Sequence, residues 1–123
     1  VRALRELHGR RDLPTPESSL LPAGIRYLLD AQNKDGSWGG GAGLAGSVEE
    51  TALALEALVT PGQKTPCPET QASCRRGLAW LCRAWDRGDW REATPIGFYF
   101  ANLWYFEELY PLAFTAAALG RAR

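Results

Sequence analysis

The chain has 123 residues, and among them are no methionine, position 1 included, only one histidine, and no net charge. Its 14 basic and 14 acidic residues are interleaved, which leaves no electrostatic footprint for nucleic acid. No run approaches the roughly 18 uninterrupted apolar residues of a membrane span, and no signal-peptide pattern opens the chain. The missing methionine points to a fragment or a processed product. Cys67, Cys74 and Cys82 make no C-x-x-C knuckle, and His8 stands in a different segment, so no zinc site is expected. An odd cysteine count without a signal peptide fits reduced thiols, and Cys74 and Cys82 read as small hydrophobes on a helical stripe.

Strand-like alternation is also missing; the apolar periods are helical, which gives an all-α fold class. A short helix is predicted over residues 2–8, followed by the Pro- and Ser-rich linker "RRDLPTPESS". Ser18 or Ser19 can cap the next helix, with Pro22 in its first turn and Leu21, Ile25, Leu28 and Gln32 on one stripe. "SVEE" reads as a capping box, with Ser47 and Glu50 as its two members and Glu49 on the solvated face. The helix it opens buries Val48, Ala52, Leu55 and Val59 and stops at Pro61-Gly62. Pro68 opens a further helix with the stripe Cys74, Leu78, Leu81 and Trp85, and Asp86, Arg87 and Asp89 then read as a solvated turn. Two last helices are predicted over roughly 96–108 and 111–120. The first of these carries Phe98, Tyr99, Phe100, Trp104, Tyr105 and Phe106 and is apolar nearly all round.

Leu21, Gly24, Ile25, Tyr27, Leu28 and Gln32 reappear 53 positions later as Cys74, Gly77, Leu78, Trp80, Leu81 and Trp85. Gly36-Ser37-Trp38 reappears as Gly88-Asp89-Trp90, with one residue deleted. A helical repeat of this period implies hairpins stacked in an array or closed ring, with copies at about residues 20–60 and 68–120 and residues 1–19 outside them. The G-x-G-x-x-G at Gly41, Gly43 and Gly46 lacks the preceding strand and the later acidic residue of a dinucleotide site, and so reads as an interhelix connection. Just upstream, the spacing of Gln32 and Trp38 lets an amide at a helix end lie on an indole and still bond a neighbouring helix end, tying one hairpin to the next.

Gly24, Tyr27, Leu28, Gln32, Gly36 and Trp38 resemble the QW repeat of the squalene–hopene cyclase and oxidosqualene cyclase family. Gly77, Trp80, Leu81, Gly88 and Trp90 resemble a second copy. There Trp85 replaces the Gln, so that one indole can pack on another. Phe98-Tyr99, Tyr110-Pro111 and Ala118-Leu119-Gly120-Arg121 resemble the family's C-terminal ending in order. The resemblance implies part of an α/α-toroid, left incomplete by this chain. It also implies aromatic cavity residues, among them Phe98, Tyr99, Trp104, Tyr105 and Phe106, that stabilise carbocations formed from a squalene-like polyisoprenoid. The family's D-x-D-D acid is absent, so no catalytic residue is expected here, and no cofactor is implied. The remainder of the toroid is the expected partner, with association between copies, and the expected location is either cytoplasmic or peripheral (monotopic) on the cytoplasmic membrane. Two other readings stay open: a non-catalytic toroid that binds an isoprenoid or a peptide, and a protein prenyltransferase-like subunit whose zinc ligands cannot be assembled from this chain.

Overall fold

The computed structural model describes residues 17–59, 67–98 and 103–122, apart from the side chains of 17–19, 96–98 and 103. The expected helix over 2–8 and the Pro61-Gly62 stop lie outside the described residues. Among the described residues, four α-helices carry the fold, in keeping with the helical class expected. They are α1 (Glu17–Asp30), α2 (Val48–Leu58), α3 (Pro68–Arg87) and α4 (Tyr110–Arg121). A one-turn 3-10 helix over Asp89–Arg91 follows α3. No described helix is long and apolar enough to cross a membrane.

The central helix is α2, which packs on both α3 and α4. Its alanines let neighbouring helices approach closely, and nearly every turn is buried, with Ala52 and Leu55 fully so. At its start the Ser47 hydroxyl accepts the Glu50 N–H at 3.1 Å. The reciprocal half of the box is not formed, because the Ser47 N–H is already donated to the Trp38 carbonyl. Glu49 is a clearer departure from expectation. It is 95% buried rather than solvated, and its Oε1 accepts the Thr94 N–H at 2.7 Å. Further along, Glu56 is buried against α4 and accepts a hydrogen bond from Arg121 Nε at 2.9 Å.

Helix α1 begins at Glu17, so Ser18 and Ser19 lie within its first turn and Pro22 lies inside the helix. Proline there removes one backbone donor while the rest of the ladder continues. Helix α3 opens at Pro68 as expected and closes at Gly88, whose φ of 85° lets its N–H reach the Ala84 and Trp85 carbonyls. Its buried face is Thr70, Ser73, Gly77, Trp80, Leu81 and Ala84, not the predicted stripe. Leu81 belongs to both, but Cys74 and Leu78 are only half-buried, and Cys82 and Trp85 are exposed. Large apolar residues drew the sequence reading to one face, whereas α3 turns its small residues inward because a backbone segment and an indole come close there.

The predicted helix over 96–108 is instead an antiparallel hairpin of β1 (Pro95–Phe98) and β2 (Leu103–Phe106), with Pro95 opposite Phe106 and Phe98 opposite Leu103. Bulky aromatic side chains fit a pleated surface better than a helical one, and Gly97 further weakens a helix there. Strands of four residues are also too short for a periodicity window to separate from a helical turn. Helix α4 follows directly, with Pro111 in its first turn.

A Cβ added at Gly77 would lie 2.6 Å from Trp38 Cζ3 and 2.9 Å from Leu55 Cδ2. Gly77→Leu should therefore cost about 1–3 kcal/mol by overpacking, read as a lowered urea midpoint with an unchanged m-value. Wild-type stability in this variant would mean that the slot for the indole is not closed.

Candidate functional site

Trp38 joins α1, α2 and α3. Its indole is 2% exposed and donates from Nε1 to the Leu28 carbonyl of α1 at 2.7 Å. Its backbone N–H donates to the Thr51 hydroxyl of α2 at 3.0 Å, and the same hydroxyl lies 3.3 Å from the Trp38 carbonyl as a donor. The ring occupies the space that Gly77 of α3 leaves free. One residue thus contacts three helices.

Gln32 adds the polar half of this junction. Its Nε2 donates to the Gly36 carbonyl at 2.9 Å and to the Ser73 carbonyl at 3.0 Å, while its Oε1 accepts from the Ser73 hydroxyl at 2.8 Å and from Arg76. The amide therefore does tie the turn to the next helix, but to the side of α3 rather than to its end. Gly36, at φ 99°, brings the turn so close that an added Cβ would stand 2.6 Å from the Arg76 carbonyl oxygen. Asp35 closes the turn: Oδ1 accepts the N–H and hydroxyl of Ser37, and Oδ2 accepts Trp80 Nε1 at 3.1 Å. These bonds, those from Ser37 foremost, hold its carboxyl below the usual carboxylate range.

The glycine segment after Trp38 connects α1 to α2 and folds back on this same turn. Asn33 Nδ2 donates to the Leu44 carbonyl, and Gly46 presses on Ser37, where a Cβ would fall 2.1 Å from the hydroxyl oxygen. Gly39 and Gly46 serve close approach and Gly43 turns the chain at φ 76°, in agreement with the interhelix reading.

The second turn differs. Gly88 matches Gly36 in having a positive φ, yet α3 stays helical up to it, and Trp85 and Trp90 stack with centroids 5.1 Å apart and planes at 21°. This is the indole-on-indole packing expected where Trp85 replaces the amide. The Arg91 guanidinium lies 4.2 Å from the Trp90 ring centroid. Arg87 pairs with Asp89 at 2.6 Å on the surface, as a solvated turn would.

Of the five aromatic site residues, Trp104 and Phe106 lie on one face of β2 and are exposed, at 61% and 65%. Tyr105 points to the other face and is half-buried; burial first, and Tyr110 next, push its hydroxyl above the usual range. Phe98 is placed by its backbone in β1 beside Leu103, and Tyr99 lies outside the described residues. The hairpin is fastened near its start by Glu49 through Thr94. An apolar hollow of about 330 Å³ lies apart from it, between α3 and α4, lined by Leu81, Trp85, Leu112 and Leu119 among others. Among the described residues no three His, Cys, Asp or Glu side chains group as metal ligands.

Thr51, Ser73 and Glu49 are the residues that sequence reasoning missed. Nothing in a single sequence marks a threonine or serine as the partner of a distant backbone, whereas Gly77 was visible as the repeat of Gly24.

The chain is similar to Stemod-13(17)-ene synthase of Oryza sativa subsp. indica, with 33% identity over 85 residues, 68% of this chain and 10% of that protein. It thus spans about a tenth of the length of that relative and resembles one segment of a terpene synthase. No family model matches the chain, and no solved structure matches it.

Trp38→Ala should cost about 3–5 kcal/mol and Gln32→Ala less, with a coupling of about 0.5–3 kcal/mol in the double mutant, because both side chains close one junction. Additive losses in a denaturation cycle would dissolve that link. For Asp35, a depressed folded pKa means stability that is present above the unfolded value and lost as pH falls through the folded one. The stability gap between wild type and Asp35→Asn should therefore narrow as pH drops from 7 to below about 4. A gap that stays constant over this range would show that the carboxylate is not held in its charged form.

Proposed function

We propose that this chain is the C-terminal segment of a squalene–hopene cyclase-like enzyme, an α/α-toroid portion that supplies structural repeats and aromatic lining to a cation-driven polyene cyclisation. The observation that carries this reading is the docking of the Gln32–Trp38 turn onto Ser73 and Gly77, which joins two matched helical units through the motif residues themselves. The similarity to a terpene synthase supports the chemistry.

On this reading the exposed face of β2 looks into the cavity. Trp104 and Phe106 offer aromatic quadrupoles without a basic atom that could remove a proton from a carbocation, each contact contributing about 0.5–2 kcal/mol. Phe98, Tyr99 and Tyr105 complete the aromatic set by resemblance. The strong acid that protonates the alkene is supplied from outside these 123 residues, since the sequence has no D-x-D-D. The remainder of the toroid and a squalene-like polyisoprenoid are the partners, and contact with a membrane surface and association of copies belong to the same proposal.

The test is cyclisation with product analysis by gas chromatography. The protein expressed from its whole reading frame should convert squalene to polycyclic product, and Phe106→Leu and Trp104→Leu should change the product ratio. The 123 residues alone should give none. Hopene from this polypeptide alone would refute the segment reading, and unchanged products in both variants would remove the hairpin from the cavity.

A further inference from the structure

Two carboxyl side chains are buried on α2, seven residues apart and so on nearly one face of the helix. Glu56 is met by the Arg121 guanidinium of α4, an ordinary way to keep such a group out of water. Glu49 has no cation beside it among the described residues. Its Oε1 accepts the Thr94 N–H at 2.7 Å, and its Oε2, also buried, has no hydrogen-bond partner among the described residues. A carboxyl buried on these terms costs stability, because bonds to water are lost and only some are replaced. The first turn of a helix favours an acidic residue, but Glu50, next in sequence, meets that preference from an exposed position. What Glu49 does that an apolar residue could not is hold Thr94. An unsatisfied buried group of this kind persists where it fixes something else.

Thr94 stands at a point where fixing counts. It is the last residue before β1, in the short stretch that leaves the 3-10 helix. Pro95, next to it, is the Cα partner of Phe106 across the hairpin. Proline has no N–H, so the last backbone donor before β1 is the one that Thr94 gives to α2. A hydrogen bond, a peptide bond and a strand pairing thus lead from Glu49 through Thr94 and Pro95 to Phe106. From this chain of contacts we infer that Glu49 is a positioning residue: through Thr94 it sets where β1 starts, hence where Phe106 and Trp104 stand, and so the ratio of products in the cyclisation proposed above. The effect on products rests on the cyclase reading, whereas the hold on the hairpin does not.

The unpartnered Oε2 decides which substitution the role tolerates. Only one oxygen is used, so an amide at 49 keeps the bond through its carbonyl oxygen and puts its NH2 where that second oxygen was. An aliphatic side chain of similar bulk loses the bond.

The test compares Glu49→Gln, Glu49→Leu and Thr94→Pro in the protein expressed from its whole reading frame, by amide hydrogen exchange and by gas chromatography of the products. Thr94→Pro removes the donor and leaves α2 untouched, so the test survives a Glu49→Leu protein that fails to fold. Exchange in β2 should quicken about tenfold in Glu49→Leu and Thr94→Pro and stay near wild type in Glu49→Gln. The product ratio should follow the same order. A merely structural role would lower the amount of product with the amount of folded protein and leave the ratio alone. Wild-type protein that makes no polycyclic product refutes the cyclase reading and the effect on products with it, and exchange in β2 then decides the hold on the hairpin. Three outcomes overturn the inference: unchanged β2 exchange in the folded Glu49→Leu or Thr94→Pro protein; a wild-type product ratio in those variants; or Glu49→Gln behaving as Glu49→Leu does.

Discussion

One indole sets the arrangement of the helices. Trp38 sits at the end of a turn rather than in a helix, yet α1 accepts its ring N–H, α2 bonds its backbone on both sides, and α3 gives up a side chain at Gly77 to make room for it. Removing bulk at 77 would do nothing without a ring to fill the space, and the ring could not be buried without an acceptor for its N–H. Apolar burial and polar satisfaction are met at the same residue, so the turn is both a plug and a tie.

The polar network around that plug explains why the turn has a fixed shape. Gln32 uses both its oxygen and its nitrogen across the junction, and Asp35 accepts from Ser37 on one side and Trp80 on the other. Gln32, Ser37 and Trp80 are at least partly removed from water, where a satisfied bond rigidifies and an unsatisfied one costs about 1–3 kcal/mol, while Asp35 is exposed. Residues 32–38 are therefore held from several sides before the chain enters the Gly-rich connection to α2.

Much of this was legible in the sequence, and the reason is the repeat. The match of Gly24 to Gly77 and of Trp38 to Trp90 marked these as repeat positions, and the spacing of Gln32 and Trp38 linked those two. The contact of Gly77 with the Trp38 ring emerged only in the fold. The Ser47 cap and the Pro68 start followed from local chemistry. What was not legible divides into two kinds. The hairpin of Trp104 and Phe106 was read as a helix because dense aromatic residues satisfy any periodicity, and only their poor fit to a helical surface argued otherwise. Glu49 was read as solvated because a carboxylate usually is, and its acceptor role depends on Thr94, which is 45 residues away in sequence and brought near only by the fold.

The burial of α2 has a consequence for how the protein can vary. Nine of its 11 residues are inaccessible, two of them glutamates held by partners from later in the chain. Drift in this segment is therefore confined almost wholly to Glu50 and Leu53, while exposed positions elsewhere, such as Lys34 and Ala79, carry no such constraint. Over evolutionary time such a molecule would keep a nearly invariant axle and exchange its outer fittings, so that related chains could come to serve different reactions while sharing one unaltered central helix.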